Sequence, residues 1–529
     1  MSTERLFQIL GLIDEDLIEE AAQPQRQKRP WRAWTAAACV AVLLLGGGLL
    51  WRQLGFMGSG DAGAGADGAP APGDPGNFPN SGPASSEGCS FMSYAGPALP
   101  LTLAEADTTM TAERHLTWDF APGTFDDGSP RQWGAQVTDA YTLKNTTDHP
   151  LTVTALYPFP GSFRDLGTDL PTAAVNGAAA ESTLLAGAYA GGFQGVWGPD
   201  GQGGHVLDGS TLNLSPPSSW TDYQALLEDG RYLTQAMEDV PALEIPVTVY
   251  ELTDFTAPHD LYDAATQAVE FTIDPEATTV LTYGFNGGSW DWDTGWCQYS
   301  FFVPDGVRRD EEPKLLVVLG KDIGDYTLTG YADGGCDQKI QGVSCTVTRR
   351  EASLDQVLHQ LCRSYLETDD FLHSDAGMDS LAALPLPLFQ RAVTQLLVQY
   401  GPLSETAVDR YAYGRLDDLL SEALSQDRVL YLAVPVTVPP GEQVSLTFSL
   451  WKAPSFDFGG SGSEKVGLQG YDLMTSLGSS LDFTSQTAAL VNTEHIQIIR
   501  QDLGLEEGAA EAVLDPEHPH YYLEIRENP

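Results

Sequence analysis

Hydrophobic and polar positions change their period several times along this chain of 529 residues. The longest apolar run, residues 34–51 (WTAAACVAVLLLGGGLLW), carries no charge and is bounded by Trp34 and Trp51. At helical rise it spans about 27 Å, close to the hydrocarbon thickness of a bilayer. Arg26, Lys28, Arg29 and Arg32 precede it and only Arg52 follows closely. The pattern predicts a transmembrane helix within 31–57, with residues 1–30 cytoplasmic and the C-terminal bulk outside the cell. A cleaved signal peptide fits less well, because about thirty residues, several of them acidic, precede the apolar run. Within 5–21, Leu6, Ile9, Leu10, Ile13, Leu17 and Ile18 recur at helical spacing. That amphipathic segment reads either as a solvated membrane-proximal helix or as a docking helix for a cytoplasmic partner.

Residues 58–90 are rich in Gly, Ala and Pro and read as a flexible linker. Beyond it the period falls to two. Residues 136–159 read as strand, polar turn and strand, anchored by Val137, Leu143, Leu151, Val153 and Leu156. Residues 271–285 and 436–450 share a pattern, with Phe271, Ile273, Pro275 and Val280 aligning with Val436, Val438, Pro440 and Val444. The repeat predicts two related β-sandwich units, with chance likeness of amphipathic hairpins as the alternative. A helical period interrupts the strands. Leu354, Val357, Leu358, Leu361 and Tyr365 follow Ser353, which with Gln356 has the spacing of a capping box. A second helix at 388–400 stops at Gly401-Pro402, and a third falls within 405–424. The expected fold is mainly β: two sandwich-like units, 91–310 and 311–529, the second with a helical insert at 353–425.

Charge sharpens the topology. The chain holds 73 acidic and 27 basic residues, a net charge of −46. Residues 1–57 balance to zero, so the whole excess lies in the exported part. Such a surface repels nucleic acid, which is excluded as a partner, and it reads either as a solvated exterior or as an attractor of cations.

Candidate chemistry is sparse. NGGSWDWDTGW, 286–296, is the best binding candidate. If extended, it places Trp290 and Trp292 on one face and Asp291 and Asp293 on the other. Exposed Trp290, Trp292 and Trp296 would stack on sugar rings while the carboxylates accept hydroxyl hydrogen bonds; the opposing reading buries the tryptophans in a sandwich core. A glycosidase pair from Asp291 and Asp293 is excluded, since such a pair must flank the sugar from opposite faces. Five cysteines follow the apolar run; Cys336 and Cys345 flank a short segment and either close a hairpin as a disulfide or stay free. Ser449 and Lys452 match SxxK, but on a strand they face opposite ways. His518 and His520 read as a surface loop or an adventitious metal site. No CxxC, HExxH or DxDxDG pattern occurs, so no metal or cofactor is expected.

The sequence GLIDEDLIEEA at 11–21, followed by a basic stretch, one span and a large exported region, resembles single-pass, anti-sigma-factor-like or uncharacterised membrane proteins of Gram-positive bacteria. The likeness covers about the first fifty residues, and the chain lacks the His/Cys zinc cluster of true anti-sigma factors. Three functions follow as expectations. The first is a membrane-anchored binding or sensing protein facing the cell wall or another glycan ligand. The second is a regulator acting through residues 1–30, and the third is a cell-wall-active hydrolase.

Overall fold

The computed structural model describes residues 91–528, apart from 190–241, 259–264, 305–312, 369–383, 405–413, 460–466 and a few isolated positions. The expected tail, the apolar run at 34–51 and the linker lie outside the described residues. Among the described residues, no helix is long and apolar enough to cross a membrane.

The protein is mainly β, as its alternating patterns imply. Among the described residues, the largest sheet has seven strands, ordered Glu511–Leu514, Asp482–Val491, Met110–Asp119, Ala135–Asn145, Gln443–Lys452, Thr172–Val175 and Ala178–Ala179. Met110, Ala112, Leu116 and Trp118 alternate into the core from one strand, and Val444, Leu446, Phe448 and Leu450 from another. This inner face meets two further sheets. In a four-stranded sheet built on Leu151–Gly161 and Arg428–Val438, Tyr157 stacks on Phe448 with ring centres 4.3 Å apart. In a five-stranded sheet built on Gln469–Met474 and His520–Glu527, Tyr471 meets Phe120 edge-on at 5.6 Å.

A buried ion pair ties these layers together. Arg114 donates from Nε and Nη2 to Asp139 at 2.9 and 2.7 Å, with exposures of 3% and 0% for the two residues. The guanidinium also donates to the carbonyls of Met474 and Leu99, and Tyr141 donates to Asp139 Oδ2 at 2.7 Å. Every polar group in this cluster is therefore engaged, which burial of charge demands. Burial pushes the Tyr141 phenol well above its ordinary value.

The strand–turn–strand segments are arches rather than hairpins. Ala135–Asn145 belongs to the seven-stranded sheet, and Leu151–Gly161 to the four-stranded sheet facing it. The segment at 436–450 makes the same crossing in reverse, and the two arches stack strand on strand. Asn145, fully buried, locks them. Its Nδ2 donates to the carbonyls of His149, Val438 and Pro439, while Oδ1 accepts from the Thr147 amide and hydroxyl. Residues 271–285 cross between sheets in the same way within a second sandwich.

That second sandwich is an insertion. Its inner sheet is ordered Thr278–Tyr283, Lys314–Gly320, Pro246–Thr256 and Ser344–Ser353; its outer sheet is ordered Gly287–Asp291, Trp296–Phe302, Thr266–Thr272 and Tyr326–Tyr331. Tyr250, Leu252, Leu316 and Val318 pack against Val269, Phe271, Tyr299 and Phe301 to form its core. The division expected at residue 310 is thus corrected. It falls between Trp296–Phe302 and Lys314–Gly320, inside this sandwich, while the seven-stranded sheet joins strands from both sides of it. A linear pattern of strands carries no record of which sheet each one joins.

Among the described residues, three helices lie beside the inner sheet, two packing on its other face and the middle one packing against those two. They are α1 (Leu354–Thr368), α2 (Leu386–Gln395) and α3 (Leu416–Ser425). The capping box opens α1 as expected, with Gln356 N–H donating to Ser353 Oγ and Ser353 N–H to Gln356 Oε1, each at 3.3 Å. Pro385 precedes α2, which continues as a wider π turn, Leu396–Tyr400, before Gly401. Val249, Leu281 and Val317 of the inner sheet share one core with Leu358, Leu361, Leu419 and Leu420. The apolar run LLVVL at 315–319 is therefore a strand buried on both faces. In the first turn of α3, Asp417 Oδ1 accepts the Gly284 N–H at 2.8 Å, and Oδ2 is buried without a partner. Burial pushes this carboxyl up to about 6.

Candidate functional site

The candidate tryptophans lie at one edge of the outer sheet. Gly287–Asp291 is its edge strand, and residues 292–295 turn the chain back into Trp296–Phe302. Asp291 drives the turn: its Oδ1 accepts the amides of Asp293 and Thr294 at 3.1 and 3.4 Å. Gly295 completes it with φ +71°, where a Cβ would lie 2.0 Å from the Ile273 carbonyl oxygen. The condition of an extended run from 290 to 293 is therefore not met. The strand stops at Asp291, so the two tryptophans separate.

Trp290 turns inward. Its indole N–H donates to the Tyr299 hydroxyl at 3.1 Å, and the rings meet edge-on at 5.7 Å. A side chain at Gly288 would strike the Trp290 ring at 2.8 Å, so the glycine makes room for the indole. Burial pushes the Tyr299 phenol up to about 12, with the indole donor opposing. Trp292 stands at the tip of the turn, 62% exposed. Asp293 is exposed beside it.

Trp296 takes the solvent side of the sheet. Register pairs it with Asp291 on one neighbour and Thr272 on the other. The next row across the same face is Ser289, Gln298, Glu270 and Thr327. Gln298 Nε2 and the Tyr331 hydroxyl both donate to Glu270 Oε1, at 3.4 and 3.3 Å. Burial, with Glu270 next, raises the Tyr331 phenol. The result is a polar face with a half-buried indole in its first row and an exposed indole at its rim. In the row beside Trp296, the Gln298 amide and the Glu270 carboxylate, on its own strand and the neighbouring one, can exchange their long mutual bond for bonds to a ligand. Glu270, Gln298 and Tyr331 escaped the sequence reading because register alone brings them beside Trp296.

Of the two alternatives left open for Cys336 and Cys345, the structure has the unbridged one; both are free thiols. Cys336 lies in the loop after Tyr326–Tyr331, with Ser300 of the outer sheet and Glu270 among the groups acting on it. Cys345 sits on Ser344–Ser353 of the inner sheet and packs against the sandwich core. The short segment between them spans from one sheet to the other instead of closing a hairpin. Burial pushes the Cys345 thiol up to about 11, which leaves it a poor nucleophile at neutral pH.

The remaining motifs resolve into structure. Lys452 Nζ donates to the Gly96 carbonyl at 2.7 Å, while Ser449 lies on the opposite side of its strand beside Thr138, so SxxK brings no serine to its lysine. His520 is a strand residue and its Nε2 meets Asp472 Oδ1 at 2.8 Å; the His518 ring packs against Tyr521. Among the described residues, no group of three or more His, Cys, Asp or Glu side chains is placed to hold a metal. The chain matches no known family model, and no curated protein is similar to it.

Proposed function

We propose that the chain is an exported, membrane-anchored binding or sensing protein that engages a glycan through the solvent face of the outer sheet. The exposure of Trp292, 62% on an edge turn beside the Trp296 and Glu270 rows, carries this reading. A large exposed indole next to ordered hydroxyl, amide and carboxylate groups suits a sugar, whose C–H face stacks while its rim hydroxyls hydrogen-bond. Asp291 is already engaged by turn amides, which favours binding over hydrolysis at this place. The apolar run at 34–51 supports the anchor, and the acidic exterior supports a soluble exported body.

The test is a glycan array with cell-wall fragments, probed with the full chain and with Trp292→Ala and Trp296→Ala. Selective binding that falls about tenfold in each variant is the expected result, from the loss of one stacking surface. Equal binding by both variants overturns the assignment of this face, and release of soluble sugar from the array overturns the non-catalytic reading. The likeness of residues 11–21 to anti-sigma-factor-like proteins supports the regulator reading beside it. A peptide of residues 1–30 that captures no specific partner removes that reading.

A further inference from the structure

A pocket of about 450 Å³ lies away from the tryptophan face, where the later turns of α1 part from the inner sheet. Its volume falls in the range of about 300–1,000 Å³ typical of small-molecule sites. The sheet register builds one wall. Tyr283, Leu315 and Glu251 form a cross-strand row on the helix-facing side, and Arg350 lies one row along beside Val249. Pro313 and, from α1, Leu361 add apolar surface, and Gln360 stands at the rim.

The charges in this pocket are poorly satisfied. Glu251 reaches Arg350 Nε only at 3.6 Å, beyond hydrogen-bond distance, and accepts no other bond among the described residues. Arg350 has five N–H donors and donates one, from Nη2 to Gln360 Oε1 at 3.1 Å. Both side chains are about one-third exposed, at 33% and 32%, so each reaches the cavity and solvent. A tight structural ion pair has the opposite character, as Arg114 and Asp139 demonstrate in the main sandwich.

We propose that this pocket binds a free α-amino acid with an apolar side chain. The guanidinium fork takes the carboxylate, and the Glu251 carboxylate takes the ammonium group. The side chain lies on Leu315, Leu361 and the Tyr283 ring. An opposed pair of charges held just apart matches a zwitterion and no singly charged ligand. The site is independent of the glycan-binding face, because it uses the other sheet and other residues.

Calorimetric titration of the full chain with L-leucine tests it, alongside 4-methylpentanoate, which lacks the amine, and 3-methylbutylamine, which lacks the carboxylate. Leucine binds, and each analogue binds at least about tenfold more weakly, the value of one lost charge-assisted contact. Glu251→Gln and Arg350→Gln each weaken leucine by a similar factor; neither residue holds a core contact, and unchanged circular dichroism checks their folding. Gln360→Ala, at the exposed rim, serves as a second probe and weakens leucine by about threefold. Absence of heat with leucine and with the other apolar amino acids up to about 10 mM overturns the proposal. So does equal affinity for both analogues, or folded Glu251 and Arg350 variants that bind like the parent.

Discussion

Replacing Asp139 by Asn removes a charge with almost no change of shape. The Arg114 guanidinium then keeps its carbonyl partners, Met474 and Leu99, but loses the anion that balances it at 3% exposure. An uncompensated buried charge of this kind costs about 3–5 kcal/mol, a large share of the roughly 5–15 kcal/mol that holds a domain folded. The amide also presents an NH₂ group toward donors that previously met carboxylate oxygens. Because the chain has two sandwiches, a global melt mixes transitions. Hydrogen exchange followed by mass spectrometry on peptides covering Met110–Asp119 and Ala135–Asn145 reads the affected sheet directly. Protection there is expected to fall by about two to four orders of magnitude, while peptides from Lys314–Gly320 are unaffected. The pair Arg114→Met with Asp139→Leu should lose less than the two single changes summed, since no charge remains to bury. A loss below about 1 kcal/mol for Asp139→Asn, or strict additivity in the pair, refutes the view that this cluster is an electrostatically closed unit.

Two further outcomes are expected. Asn145→Ala removes five hydrogen bonds at the stacked arches and leaves the buried Val438 carbonyl without its donor; it should cost about 3 kcal/mol and lower the melting temperature by several degrees in a fluorimetric scan. Asp417 binds its proton more tightly folded than unfolded, so its stabilising contribution is complete below pH 3.8 and is lost as pH rises through about 6. Asp417→Asn therefore stabilises the protein at pH 7.5 by at most about 3 kcal/mol and is neutral near pH 3; urea titrations at the two pH values check the sign, and a destabilised variant at pH 7.5 contradicts it.

The local grammar of the chain was readable. Alternation at 136–159, the Ser353–Gln356 cap and the stop at Gly401 all mark real elements, because each rests on contacts within a few residues. Partnership between strands was not readable. Residues 271–285 and 436–450 show the same alternation whether a chain folds back on its neighbour or crosses to the facing sheet, and here both cross. At the candidate site, the composition of 286–296 drew attention to the right turn, but the direction of each indole depended on where the strand ended. Gly295 and the Asp291 side chain decide that, through contacts to Ile273 and to the turn amides that no periodicity encodes. The pocket between α1 and the inner sheet left no trace in the sequence, since Glu251, Arg350 and Gln360 come together only through register and helix packing.

The nested architecture also dictates a timetable for synthesis. Ala135–Asn145 waits for Gln443–Lys452 before its open side is hydrogen-bonded, and Met110–Asp119 waits for Asp482–Val491, its parallel neighbour. At about 5–20 residues per second, roughly 300 intervening residues take roughly 15–60 s to emerge. The smaller sandwich and its helices are complete by then, while the first-made strands still offer bare backbone to any passing chain. Nascent chains halted before residue 443 should thus be the ones that aggregate or recruit a holdase, whereas those halted after the final strand should not.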